Sequence, residues 1–199
     1  MKRRRGLQFL GVALACCVGA AASADTLWDE AVSGDFSNSG LTPTSLTFGL
    51  GNNTILGMTG NPGSGIDRDY FSFTVPAGTA LTSVFVLNNT SVSGSSSFIG
   101  LQAGPQVTVT PTGGGAENLL GFAHYGNDQI GTDLLSLLAP AFPGGLPSGT
   151  YSVWVQELGG PVPYGFNFGV TAVPLPAAAW LLLSGLLGVG AIRRRERDR

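Results

Sequence analysis

The clearest strand is Asp69-Tyr70-Phe71-Ser72-Phe73-Thr74-Val75, in which apolar and polar residues alternate from Phe71 to Val75. In a strand, side chains point to opposite faces with a period of two. Phe71, Phe73 and Val75 therefore share an inward face, and Tyr70, Ser72 and Thr74 share the outward one. A one-sided strand has to bury its apolar face against a second layer. Pro76-Ala77-Gly78-Thr79 turns the chain, and 81–87 follows as a partner strand. Further strands are expected at 28–32, 45–50, 53–58, 98–103, 106–110 and 119–125. Two strong ones close the series: Gly149–Gln156, with Tyr151, Val153 and Val155 on one face, and 164–170, with Phe166, Phe168 and Val170 on one face. The single helical candidate, 132–138, has Thr132 or Asp133 as a cap and is too short to stand alone. With 31 glycines in 199 residues, turns are plentiful. The expectation is all-β: a single antiparallel β-sandwich over residues 25–172.

The two ends read differently. Residues 1–24 have the build of a secretory signal peptide: Lys2-Arg3-Arg4-Arg5, an apolar stretch over 7–20, and Ala22-Ser23-Ala24 as the cleavage site, with the cut after Ala24. Leu14-Ala15-Cys16 is a weaker, lipoprotein-like alternative. Cys16 and Cys17 are the only cysteines. The expected mature chain therefore carries no disulfide and no thiol nucleophile. At the other end, 173–199 shows three parts in order: Val173-Pro174-Leu175-Pro176-Ala177, an uncharged run over 177–192, then Arg193-Arg194-Arg195. The prolines prevent a helix from running back into the domain. As a helix, the run would span roughly 24 Å against a hydrocarbon core of ~30 Å. Local thinning or snorkelling arginines would let it cross. The arginines act as a cytoplasmic stop-transfer cluster. A C-terminal transmembrane helix over 177–192 with a basic tail over 193–199 is expected.

Charge is concentrated at the ends. Between Asp25 and Ala172 the only Lys or Arg is Arg68, against ten Asp and Glu. So acidic a body would repel nucleic-acid phosphates, and nucleic acid is excluded as a partner. It suits an extracellular surface or a place where divalent cations screen it. The lone His124 has no nucleophile elbow near it, and one histidine cannot build a zinc site. No phosphate-binding loop occurs. No catalytic residue and no cofactor are expected. Calcium is the one metal with candidate ligands: Asp67 and Asp69 stand at the entrance to a strand, where loop carbonyls could complete an oxygen shell. The plainer reading is a solvated, turn-forming pair balanced by Arg68. Asp128 and Asp133 form a weaker pair. Tyr70 and Trp154 fall on the polar phase of their strands. There they would either stack on sugar rings or be covered by loops.

The tail, with Val173, Pro174, Leu175, Pro176 and Ala177 ahead of an apolar run and arginines, resembles the PEP-CTERM sorting signal, and more closely its Val-Pro-Leu-Pro-Ala variant. Leu175 stands where the commonest pattern has Glu. The resemblance implies processing by an exosortase-type membrane enzyme after export by the secretion machinery. It also implies delivery from the inner membrane to the outer surface or the extracellular matrix. The body, through 67–78 and 149–155, resembles bacterial pre-peptidase C-terminal (PPC-like) β-sandwich domains, which implies a small jelly roll. Residues 30–35 and 97–104 are similar to other PEP-CTERM proteins of this type. The resulting expectation is an exported structural or adhesive component of exopolysaccharide or biofilm and not an enzyme. The alternatives are a carbohydrate-binding module for exopolysaccharide and, third, a secreted hydrolase built on His124.

Overall fold

A computed structural model describes residues 25–92, 94, 96–111 and 116–174. The expected signal peptide, with Ala22 and Ala24, lies outside these residues. So do Leu175, Pro176, Ala177, the apolar run and Arg193, Arg194 and Arg195. Among the described residues, no helix is long and apolar enough to cross a membrane.

Among the described residues, nine strands form two sheets. In chain order they are β1 (Asp25–Asp29), β2 (Thr44–Thr47), β3 (Gly51–Thr59), β4 (Arg68–Val75), β5 (Thr79–Val86), β6 (Ser97–Ala103), β7 (Gly121–Tyr125), β8 (Gly149–Gln156) and β9 (Val162–Ala172). One sheet runs β1-β3-β9-β5 and the other β2-β4-β8-β6-β7. The described residues also include two helices of a single turn each, α1 (Glu30–Ser33) and α2 (Leu135–Leu138), and two short 3-10 turns.

The alternating phases meet between the sheets. Phe71, Phe73 and Val75 on β4 face Phe166, Phe168 and Val170 on β9, and all six are buried. Phe168 lies at the centre, with ring centroids of Phe48, Phe71, Phe73 and Phe166 at 5.2, 6.0, 5.7 and 6.3 Å. Phe48 stacks on Phe73 at 4.2 Å. Offset and edge-on ring pairs of this kind add to what burial alone supplies.

Four expectations need correction. The strand after the 76–79 turn, β5, does not pair with β4 but crosses to the other sheet and pairs with β9. The sandwich is not wholly antiparallel: β1 runs parallel to β3 and β2 parallel to β4, each at a sheet edge. Both edge strands are reached by long connections, which permit either direction. The strand expected at 28–32 stops at Asp29, because the Asp29 carboxylate accepts the Ala31 N–H at 3.0 Å and caps α1. Residues 106–110 form no strand. They strap the outer face of the second sheet, with Val107 N–H donating to Gly40 C=O at 2.8 Å and Thr108 N–H donating to Gln102 Oε1 at 3.0 Å.

That strap also settles Tyr70 and Trp154. They are cross-strand partners on β4 and β8, stacked at 5.9 Å, and they sit on the outward phase as expected. Neither ring is open, however. Val107, Val109 and Phe98 pack over them as a second small core, leaving Tyr70 3% and Trp154 6% exposed. Large apolar rings on an outer face are covered when a loop is long enough to reach them. No flat ring face remains at either position for a sugar to stack on.

Candidate functional site

The period that buries Phe71, Phe73 and Val75 extends one step back to Asp69. Its carboxylate therefore points between the sheets, and the residue is fully buried. On the opposite sheet, Tyr164 is the first buried residue of β9. Its hydroxyl donates to Asp69 Oδ2 at 2.7 Å. Gly57 makes this approach possible. It pairs with Tyr164 across β3 and β9, and a Cβ there would collide with the Tyr164 hydroxyl. The other oxygen, Asp69 Oδ1, is buried without a hydrogen-bond partner.

Two further carboxylates reach the same point from the N-terminal segment. Glu30 opens α1 and Asp35 follows its end. Phe36 N–H donates to Glu30 Oε1 at 2.9 Å, and Met58 N–H donates to Oε2 at 2.7 Å. One oxygen each from Glu30, Asp35 and Asp69 lies within 4.8 Å of the others. Asp67 stands at the rim, with Oδ1 accepting from Asn38 Nδ2 at 2.9 Å. An open cleft of about 490 Å³ leads to the group, bordered by Glu30, Asp35, Gly57, Met58, Asp67 and Asn89.

The electrostatics are one-sided. Arg68, the lone cation of the body, turns away and donates from Nε to Gln156 Oε1 at 2.6 Å. Burial pushes Asp69 up to about 9, reinforced by the charge of Glu30 and opposed by the Tyr164 hydroxyl. Burial also lifts Glu30 to about 7. The Phe36 and Met58 N–H groups oppose that rise, and Asp35 adds to it. Asp67 is raised by burial and then by Asp35. These directions follow from desolvation and like-charge repulsion, both of which disfavour the ionised form. Glu157 shows what satisfaction looks like. Burial pushes it up as well, but Ser97 Oγ at 2.6 Å and the N–H groups of Leu158 and Gly159 outweigh that and hold it below its ordinary value. Asp69 lacks such a set of donors.

The expected pair of Asp67 and Asp69 is thus split in role. Asp69 lies at the bottom of the acidic group and Asp67 at its edge, while Glu30 and Asp35, not chosen from the sequence as ligands, supply the rest. One signal was available in the sequence: Asp69 shares the apolar phase of its strand. Asp133 is engaged elsewhere, its Oδ1 accepting the N–H groups of Val84 and Leu135. His124 is exposed. Its Nδ1 lies 3.3 Å from the Ser97 carbonyl oxygen and its ring edges Phe98 and Phe122. Of the Val-Pro-Leu-Pro-Ala stretch expected as a motif, Val173 and Pro174 lie among the described residues, and both are exposed.

Comparison of the chain with family models, with curated proteins and with solved structures returned no match in any of the three.

Proposed function

We propose that the chain is an exported structural module of the cell surface or extracellular matrix, delivered by a C-terminal sorting signal and not a catalyst. The body is a PPC-like jelly roll carried as cargo. Its tail, starting at Val173, is the address read by an exosortase-type enzyme. The observation that carries this reading is where β9 stops. Strand β9 ends at Ala172, and the Val173 N–H makes a last tether to the Gly78 carbonyl at 2.9 Å. The motif begins at that residue, and Val173 and Pro174 are exposed. A processing enzyme can therefore reach the motif without unfolding a strand. Exposed backbone at a domain edge is where such nicking concentrates.

The contacts of His124 support the non-catalytic reading, since they are a backbone carbonyl and two phenyl rings. A partner such as exopolysaccharide would have to be met on surfaces other than Tyr70 and Trp154, which are covered.

Intact-mass measurement of protein recovered from the cell surface tests the proposal. The expected mass begins at Asp25 and lacks Arg193, Arg194 and Arg195. Replacing Pro174 and Pro176 together by alanine should leave the tail attached and the protein in the inner membrane. Surface protein that carries the whole tail, or normal maturation of the double variant, overturns the sorting reading.

A further inference from the structure

The geometry points to a site for one divalent cation of the calcium type, held by Glu30, Asp35 and Asp69. It is independent of how the tail is processed.

The first support is distance. One oxygen from each residue lies within 4.8 Å of the other two. Calcium binds oxygens at about 2.3–2.6 Å, so ligands on opposite sides of the ion stand roughly 5 Å apart. The three oxygens can surround a common centre without moving the backbone.

The second support is separate from the clustering. Asp69 Oδ1 is fully buried, has no hydrogen-bond partner and belongs to the residue at the base of the group. A buried carboxylate oxygen with nothing to accept from costs desolvation energy that a well-paired one recovers. Tyr164 fixes the carboxylate from its other oxygen, in the way that outer partners orient metal ligands. The Phe36 and Met58 N–H groups do the same for Glu30, one on each oxygen, and each oxygen keeps a second lone pair.

The third support is charge. Three carboxylates converge here, and the body's lone Arg68 is committed to Gln156. Like charges this close disfavour the folded chain unless a proton or a cation intervenes. The donor set is all oxygen, which selects calcium or magnesium over zinc or copper. The cleft admits water to fill the remaining positions on the side of the exposed Asp35. Calcium is preferred over magnesium because it tolerates an irregular shell of protein oxygens, whereas magnesium demands a near-ideal octahedron.

The site joins three parts of the chain: α1, the segment after it, and the start of β4. A bound cation would therefore clasp the N-terminal segment onto the sandwich.

The test uses the full-length chain in mild detergent, stripped with EDTA and titrated with calcium chloride in a calorimeter. One ion per chain is expected, with a dissociation constant between about 10 µM and 1 mM, the range of irregular sensor and extracellular sites. Magnesium should bind at least about tenfold more weakly. Asp69→Asn should abolish binding. Asp35→Asn, at an exposed position that leaves the core intact, should weaken it at least about tenfold. Asp128→Asn, in the turn after β7 and outside the group, should bind as the unaltered chain does. No calcium binding up to about 10 mM, binding unaltered in Asp35→Asn, or equal losses in Asp128→Asn would each overturn the site.

Discussion

Asp69→Asn should flatten the pH dependence of stability in the metal-free protein. The folded chain holds a proton on Asp69 up to about pH 9, because burial and Glu30 disfavour the anion. In the unfolded chain the same group ionises near the ordinary 3.8. Its stabilising contribution is therefore complete below that value and is lost as pH rises towards 9. Each retained proton removes about 1.4 kcal/mol per pH unit. From about pH 5 to pH 8, one proton amounts to about 4 kcal/mol, or on the order of 10 °C in Tm for a domain of this size. Glu30 steepens the fall up to about pH 7. It repels Asp69, so the two losses do not simply add. Asparagine has the shape of the neutral acid, accepts the Tyr164 hydroxyl as Asp69 does, and cannot ionise. Urea unfolding in EDTA across that pH range is the assay. The unaltered chain should lose stability steadily, and Asp69→Asn should lose it more slowly and be the more stable of the two at the alkaline end. Parallel pH profiles for the two proteins would refute the reasoning, because Asp69 would then be ionised in the fold.

Gly57→Ala should destabilise by about 1–3 kcal/mol in urea unfolding, since its Cβ meets the Tyr164 hydroxyl and something must shift. If the hydroxyl moves off Asp69, the same variant should carry the fall in stability to higher pH, because that hydrogen bond opposes the rise of the Asp69 pKa. Phe168→Ala should cost about 3–5 kcal/mol by the same measurement, because it empties the centre of four ring contacts.

Period-two reading located the inner faces of β4, β8 and β9 correctly, because burial on those faces is decided by residues two apart. It could not set the direction of β1 and β2, which pair with strands 28 and 27 residues later in register: Asp25 with Asn53 and Thr44 with Phe71. Nor could it show that 106–110 would fold over Tyr70 and Trp154, since coverage of an outer face depends on loop path and not on local pattern. The acidic group was half legible. A carboxylate in phase with Phe71 and Phe73 is a conflict between pattern and chemistry, and such conflicts mark functional or strained positions. Glu30 and Asp35 lie 39 and 34 positions before Asp69, and only the fold brings them beside it.

The N-terminal segment shows why that conflict is tolerated. Helix α1 has one turn and no buried residue, so it cannot hold itself in place. β1 is an edge strand whose parallel register slips between Thr26 and Trp28. What secures the segment is Phe36, which is buried, stacked on Trp28 at 5.1 Å and tilted against Phe71 at 5.1 Å, and Glu30, whose carboxylate bridges the N–H groups of Phe36 and Met58. The Glu30 contacts are strongest when it is charged, because an ionised acceptor makes the shorter and stronger hydrogen bond. Charging it, however, sets it against Asp35 and Asp69. The segment's attachment thus depends on the acidic group keeping its negative charge while something compensates for it. Protonating Asp69 meets that need within the chain, and a divalent ion meets it without giving up either of Glu30's backbone bonds.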